Sequence, residues 1–371
     1  MTDRGDDATG CLGYGAARQP DSARPSPAWF FRRLADWLAG GEQVALCTML
    51  GVVGSAPRHA GAKMAVRASG ELLGTIGGGR LEARSVEWGR EVLATAASVR
   101  RGFVLTEEMV CGGTAELLVE YLDGRDSATA SFFRLVTIVA EGDALGCSVL
   151  GMRREQETVL ASRALFAGRQ RLATLATERC PIPDDLYRTT PHVPALIHRE
   201  PGDYFLEPLA PPITVVVCGG GHIAAALVPL CGPLGFRTIV LDDRPEYAAA
   251  GRFPGADQVR AVASFDQALE HIPLGPGTYV VIVTHGHAGD LAVARQALRG
   301  TPGYLGMIGS RRKRDVLFEA LRREGCSAEA SARIACPIGL AIGAETPEEI
   351  AVSIVAQLIA TRAAQVRRDA P

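Results

Sequence analysis

The chain has 371 residues, with 39 Lys and Arg against 41 Asp and Glu for a formal charge of −2, and 47% of its residues are hydrophobic. This is the composition of a soluble globular protein long enough for two domains, each able to bury a core without disulfide staples. The near-neutral balance argues against nucleic acid as a main partner, no apolar run reaches the roughly 18 residues of a membrane span, and nine scattered cysteines without a C-x-x-C pair argue against a disulfide framework or structural zinc.

In chain order, residues 1–27 carry Asp3, Asp6 and Asp7 among Gly, Pro and Ser without an apolar stretch. They read as a disordered leader rather than a secretory signal, which points to the cytoplasm. Trp29, Phe30, Leu34 and Leu38 recur at helical spacing and predict a helix from Pro27 to Leu38, broken at Gly40-Gly41. Strands are expected at Val44–Leu50, Lys63–Arg67, Glu71–Ile76 and Thr114–Tyr121, helices at Leu81–Ala97 and 129–140, and a further strand at 146–152. Residues 28–200 are thus expected to form an α/β or α+β domain with glycine-rich loops. Pro208, Pro211 and Pro212 mark 201–212 as a linker, because consecutive prolines extend neither a helix nor a central strand. Beyond it, Val-rich strands at Thr214–Cys218, Thr238–Asp242, Tyr279–Thr284 and Tyr304–Ile308 alternate with helical stretches near 222–234, 288–299 and 311–324. That alternation predicts a Rossmann-like, doubly wound parallel sheet over 213–371. Thr346-Pro347-Glu348-Glu349 is a strong helix start, with a final helix to about Val366.

Three segments of the first domain suggest binding chemistry. Between Gly51 and Met64, Arg58 and Lys63 stand among glycines and resemble an anion cradle. Gly77-Gly78-Gly79 precedes a helix, where unpaired N–H groups and the helix dipole favour phosphate or carboxylate; a sharp turn without ligand is the alternative. Cys111-Gly112-Gly113 sets a thiol beside bare backbone N–H groups, which suits sulfur transfer or soft-metal ligation. Packing as a small hydrophobe is the competing use of any free cysteine.

In the second domain, Gly219-Gly220-Gly221-His222-Ile223-Ala224 fits G-x-G-x-x-[GA] between a strand and a helix, and Asp242 follows 23 residues after Gly219. Gly219 and Gly221 would let a pyrophosphate approach the helix N-terminus, His222 would face it, and Asp242 would accept from ribose hydroxyls. Close helix–sheet packing explains the same glycines. Thr284-His285-Gly286-His287-Ala288-Gly289-Asp290 follows another strand and would offer His285 and its neighbours to a ligand or metal in the same crevice, although a third metal ligand is not evident.

Taken together these motifs resemble the XdhC/CoxI family, over roughly residues 30–365. The resemblance rests on Gly54-Ser55-Ala56-Pro57-Arg58 with Gly61-Ala62-Lys63-Met64, on Gly74-Thr75-Ile76-Gly77-Gly78-Gly79 with Leu81-Glu82, and on Cys111-Gly112-Gly113. The second half adds Cys218-Gly219-Gly220-Gly221-His222, Thr284-His285, Gly306-Met307-Ile308-Gly309-Ser310-Arg311-Arg312-Lys313, and Pro337-Ile338-Gly339-Leu340 leading into Thr346-Pro347-Glu348-Glu349-Ile350-Ala351. The resemblance implies an accessory protein that binds molybdenum cofactor, keeps it while a cysteine desulfurase supplies a terminal sulfido ligand, and delivers it to xanthine dehydrogenase or a related molybdenum hydroxylase. Under it, Arg58 and Lys63 hold the phosphate and Gly77, Gly78 and Gly79 donate N–H groups. Glu82, Gly112 and Gly113 line the site, and Cys111 ligates molybdenum or relays sulfur. Arg80, Cys336 and Ala341 depart from the family pattern; the last two weaken any acid or base role for the C-terminal loop. Two other readings stay open: an NAD(P)-dependent oxidoreductase using Gly219, Asp242 and His285, and a cofactor-free assembly scaffold. Oligomeric state is open too, a homodimer included.

Overall fold

The computed structural model describes residues 27–54, 58–105, 113–189 and 193–369. The expected leader up to residue 26, the Ser55-Ala56-Pro57 motif, Cys111 and Gly112 lie outside the described residues. The chain opens with α1 (Pro27–Ala39), β1 (Gln43–Gly54), β2 (Lys63–Arg67), β3 (Leu72–Thr75), α2 (Gly79–Thr95), β4 (Val99–Leu105) and β5 (Gly113–Asp123). The five strands form an antiparallel sheet in the order β3-β2-β1-β5-β4. Alternation along β1 explains both of its faces. Ala45, Cys47 and Met49 pack with Leu81, Trp88 and Val92 of α2, whereas Val44 and Leu46 pack with Phe31, Leu34 and Leu38 of α1.

A second antiparallel sheet follows α3 (Ser127–Glu141). It comprises β6 (Gly146–Glu155), β7 (Thr158–Ala167), β8 (Gln170–Leu175), β9 (Ala195–Arg199) and β10 (Gly202–Leu209), in the order β8-β7-β6-β10-β9. Of these strands only the start of β6 was expected. The first seven residues of β6 are all buried, so that strand showed in the sequence as an apolar run rather than as a polar alternation. The expected linker needs correction: residues 202–209 form β10, and only 210–212 and Ile213 connect it to the next strand. Pro208 is tolerated because β9 pairs with β10 only as far as Leu206, so its missing N–H faces no partner on that side.

The two sheets pack face to face, Leu50 and Leu118 against Leu150, Met152 and Phe205. Two ion pairs are buried in this interface. Arg163 Nε of β7 lies 3.0 and 3.1 Å from the Glu120 carboxylate oxygens of β5, with the side chains 3% and 5% exposed. Its guanidinium also stands 5.2 Å from the centre of the Phe133 ring. Lys63 of β2 contacts Glu207 of β10 at 2.5 Å.

The C-terminal half follows the expected alternation in β11 (Thr214–Cys218), α4 (His222–Cys231), β12 (Arg237–Asp242), β14 (Thr278–Ile282), α5 (His287–Ala297), β15 (Tyr304–Met307), α6 (Arg311–Arg323) and α8 (Pro347–Asp369), and adds β13 (Gln258–Ala261), α7 (Ala328–Ala332) and β16 (Ile334–Ala335), which were not expected. All six strands are parallel, in the order β13-β12-β11-β14-β15-β16. Val215 and Val217 face α4 and α8; Val216 and Cys218 face α5 and α6. This is the doubly wound sheet expected, with its order reversing between β11 and β14. The Thr346 hydroxyl accepts from Glu349 N–H and the Glu349 carboxylate from Thr346 N–H, completing the expected capping box. Arg237 ties the halves together, donating to Asp143 and to the Glu141 carbonyl at 2.8 Å each. No described helix is long and apolar enough to cross a membrane.

Candidate functional site

Strand register decides where the glycine-rich segments emerge. Thr48 of β1 lies opposite Lys63, and Lys63 opposite Thr75, so residues 58–62 before β2 and 76–79 after β3 leave the sheet in the direction in which β1 runs. At the end of that run Gly54 is opposite Gly113, and Gly113 is opposite Leu105. The chain therefore reaches residues 55–57 and 106–112 from neighbouring positions at this same end. The described flanks of the three segments singled out in the sequence, residues 58–62, residues 76–79 and Gly113, share one end of one sheet.

The triple-glycine turn is the best-defined part. Gly77, Gly78 and Gly79 have φ of 128°, 76° and 62°. Gly78 combines that φ with ψ −173° as N-cap of α2, a region essentially closed to residues with a Cβ. Gly77 N–H is taken by the Thr75 hydroxyl, and Gly78 N–H by the Glu82 carboxylate, which also accepts from Thr75. Of the three N–H groups expected to meet a ligand, two thus already have partners within the chain, and only Gly79 N–H has none among the described residues. Arg58 is exposed. Lys63 is placed differently from the expectation of a phosphate-holding cation. It is buried, donates to Glu207 and to the Gly61 carbonyl at 3.1 Å, and sits 5.7 Å from the Phe31 ring centre. Burial lowers its pKa against the opposing pull of Glu207. Its ammonium ties the Arg58–Gly61 loop to the second sheet. Among the buried cysteines Cys47 is held inert, its thiol pushed up to about 12 by desolvation.

The second group of expected residues lines the C-terminal edge of the parallel sheet, at the reversal point where such folds bind ligands. Gly219 has φ 113°, and a Cβ there would stand 2.3 Å from the Val283 carbonyl oxygen. Gly221 faces open space as N-cap of α4, with no side chain capping the helix, and His222 next to it is exposed. Asp242, fully buried, accepts four hydrogen bonds: from Gly220 N–H at 2.7 Å, and from Arg244 N–H, Nε and Nη2 at 2.9 to 3.0 Å. A carboxylate has about four acceptor sites, so as placed none remains for a ribose diol. His285 Nε2 lies 3.1 Å from Asp243 Oδ1, and Asp290 is claimed by the Thr284 hydroxyl and by Lys313. The described residues contain no group of three or more His, Cys, Asp or Glu able to hold a metal ion. Arg244, Arg252 and Tyr247 were missed. Both guanidiniums stack on the Tyr247 ring, 3.7 and 4.9 Å from its centre, and Arg252 reaches the Gly220 carbonyl. The only hint in the sequence was a cation two residues after Asp242.

Burial works to raise the Asp242 pKa, but the hydrogen bonds from Arg244 and Gly220 outweigh it and hold the carboxyl below the ordinary range. A depressed folded value contributes stability that is present above the unfolded value of about 3.9 and lost as pH falls through the folded one. Asp242→Asn is expected to cost about 1.5–3 kcal/mol at pH 7 and to cost progressively less in denaturation curves taken down to pH 2. An undiminished cost at pH 2 would contradict this account.

Comparison with known proteins gives a consistent result. A family model described as the XdhC Rossmann domain matches residues 215–358, and one described as the XdhC and CoxI family matches residues 37–103. The uncharacterized protein YqeB of Escherichia coli is 32% identical over 157 residues, 42% of this chain but only 28% of that protein's length. A Bacillus subtilis protein, named as a probable subunit of xanthine dehydrogenase, is 28% identical over 330 residues, 86% of this chain and 94% of that one. The molybdenum cofactor insertion chaperone PaoD of Escherichia coli is 22% identical over 332 residues, 88% of this chain and 85% of its own. A crystal structure from Bacillus halodurans described as a xanthine dehydrogenase shares the fold, with a TM-score of 0.74 at 24% identity, covering 90% of this chain and 96% of that one.

Proposed function

Because the chain belongs to the XdhC and CoxI family, we propose that it serves the maturation of a molybdenum hydroxylase of the xanthine dehydrogenase type, taking up molybdenum cofactor as cargo and handing it to the apo-enzyme. The observation that supports this reading is the shared sheet end: Arg58, the Gly77–Gly79 turn and Gly113, which follows Cys111-Gly112 in the sequence, lie at one end of one sheet. Such an end suits a cargo with a phosphate at one end and a soft, thiolate-tolerant metal at the other. Arg58 supplies charge for the phosphate. Gly79 N–H, at the positive end of α2, supplies a donor.

The finer part of the proposal concerns sulfur. A cysteine desulfurase passes its sulfane sulfur to the Cys111 thiolate, forming a persulfide there and freeing the desulfurase thiolate, with no net change in oxidation level. The cargo's sulfido ligand then derives from that persulfide: a pair of external thiols is oxidised to a disulfide, its two electrons cleave the S–S bond, the outer sulfur leaves at the sulfide level and Cys111 is released as the thiolate. The test is metal and pterin analysis of protein purified from a cofactor-producing host, followed by transfer to an apo-hydroxylase. Bound pterin that restores hydroxylase activity supports the carrier; a protein that carries no pterin even after incubation with free cofactor leaves only the scaffold reading. Persulfide labelling at Cys111 after desulfurase treatment supports the relay, and labelling at another cysteine removes it.

A nucleotide in the C-terminal crevice is a secondary reading, favoured by the open Gly221 turn and the uncapped start of α4. With Asp242 saturated, ribose recognition would fall to Asp243, which His285 shares. Calorimetric titration with NAD and NADP decides it.

A further inference from the structure

Beside the triple-glycine turn lies a cavity of about 300 Å³, lined by Leu72 of β3 and by Gly79, Glu82, Ala83 and Val86 of α2. β3 is an edge strand, and Leu72 keeps 36% of its surface exposed there. Val86 stands one helical turn beyond Glu82 on the same face of α2. The walls are therefore aliphatic on two sides. Glu82 is fixed between them: its Oε2 accepts from the Thr75 hydroxyl and from Gly78 N–H, while its Oε1 has no partner among the described residues. A Cβ at Gly79 would meet nothing within 4 Å, so the side next to the turn stays open.

With Oε2 taken twice, Oε1 keeps the two remaining acceptor sites of the carboxylate, and two adjacent, coplanar N–H donors can both converge on that one oxygen. A 2-amino-4-oxopteridine presents that edge through its ring N–H and exocyclic amine, and the flat faces of the bicycle match the aliphatic walls. A phosphate does not fit the same place, because Glu82 repels it. We propose that this slot takes the pterin ring of the cargo and that Glu82 determines specificity for it, leaving the phosphate and metal ends to the Arg58 and Cys111 segments. The inference rests on the carrier reading above.

The probe is 6-hydroxymethylpterin, followed by its own fluorescence. Wild-type protein is expected to bind it saturably, without displacement by inorganic phosphate. Glu82→Gln should weaken binding about tenfold or more, the scale of one hydrogen bond to a charged group. Val86→Trp fills the slot while leaving the Thr75–Glu82–Gly78 bonds intact, and should abolish binding. Thermal unfolding confirms that each variant is folded. No probe binding by the wild type, or wild-type affinity in both folded variants, overturns the proposal. The two readings fail separately: loss of intact cofactor uptake with pterin binding retained removes the carrier and keeps the slot. Cofactor uptake unaffected by either variant keeps the carrier and removes the slot.

Discussion

Arg163→Ala is expected to lower the unfolding free energy by about 3–5 kcal/mol, because it strands the Glu120 carboxylate between two sheets with its partner gone. The loss is one of desolvation more than of attraction. The control is therefore the double variant Glu120→Leu with Arg163→Met, which removes both charges and replaces them with apolar volume; it should recover most of the loss. Chemical denaturation of the three proteins is the measurement. A loss below about 1 kcal/mol for Arg163→Ala, the range of exposed pairs, would contradict the burial assigned here.

Gly219→Ala is expected to be comparably damaging for a different reason. The residue has φ 113°, and its new Cβ would meet backbone, the Val283 carbonyl at 2.3 Å, which cannot turn aside as a side chain would. Backbone strain of about 1–3 kcal/mol adds to overpacking of a similar size. Gly221→Ala two residues on serves as the comparison, since nothing lies within 4 Å of its Cβ position and its φ is −75°. The expected result is a large loss of stability for the first variant and little for the second. Equal effects would show that the turn is looser than described.

The parallel sheet was legible because its strands are continuous apolar runs, most of them followed by a glycine-bearing turn and a helix. The second antiparallel sheet was largely not. β6, buried on both faces for most of its length, was legible over 146–152, but its partners β7 to β10 carry no glycine fingerprint to mark them. The prolines near 208 suggested a boundary when their real constraint was narrower: an N–H missing from the side of a strand with no neighbour. At the site, residue types were visible and commitments were not. Lys63 and Asp242 read as ligand contacts, yet Glu207 and Arg244 engage them inside the fold. Glu207 comes from another sheet, which only tertiary structure brings into place, whereas Arg244 acts locally by folding back on its own turn. Glu82, conversely, looked like part of a motif, and the slot it serves needs Leu72 from a neighbouring strand.

The central claim is that the cargo sits at the glycine-rich end of the first sheet, and its most direct test is pterin and molybdenum content per chain after purification from a cofactor-producing host. Wild type and Gly221→Val, altered in the other crevice, should retain cofactor. Arg58→Ala, Gly78→Val and Cys111→Ala should each lose most of it while remaining folded. Retention by all three of these variants, or loss confined to Gly221→Val, would place the cargo elsewhere and contradict the account.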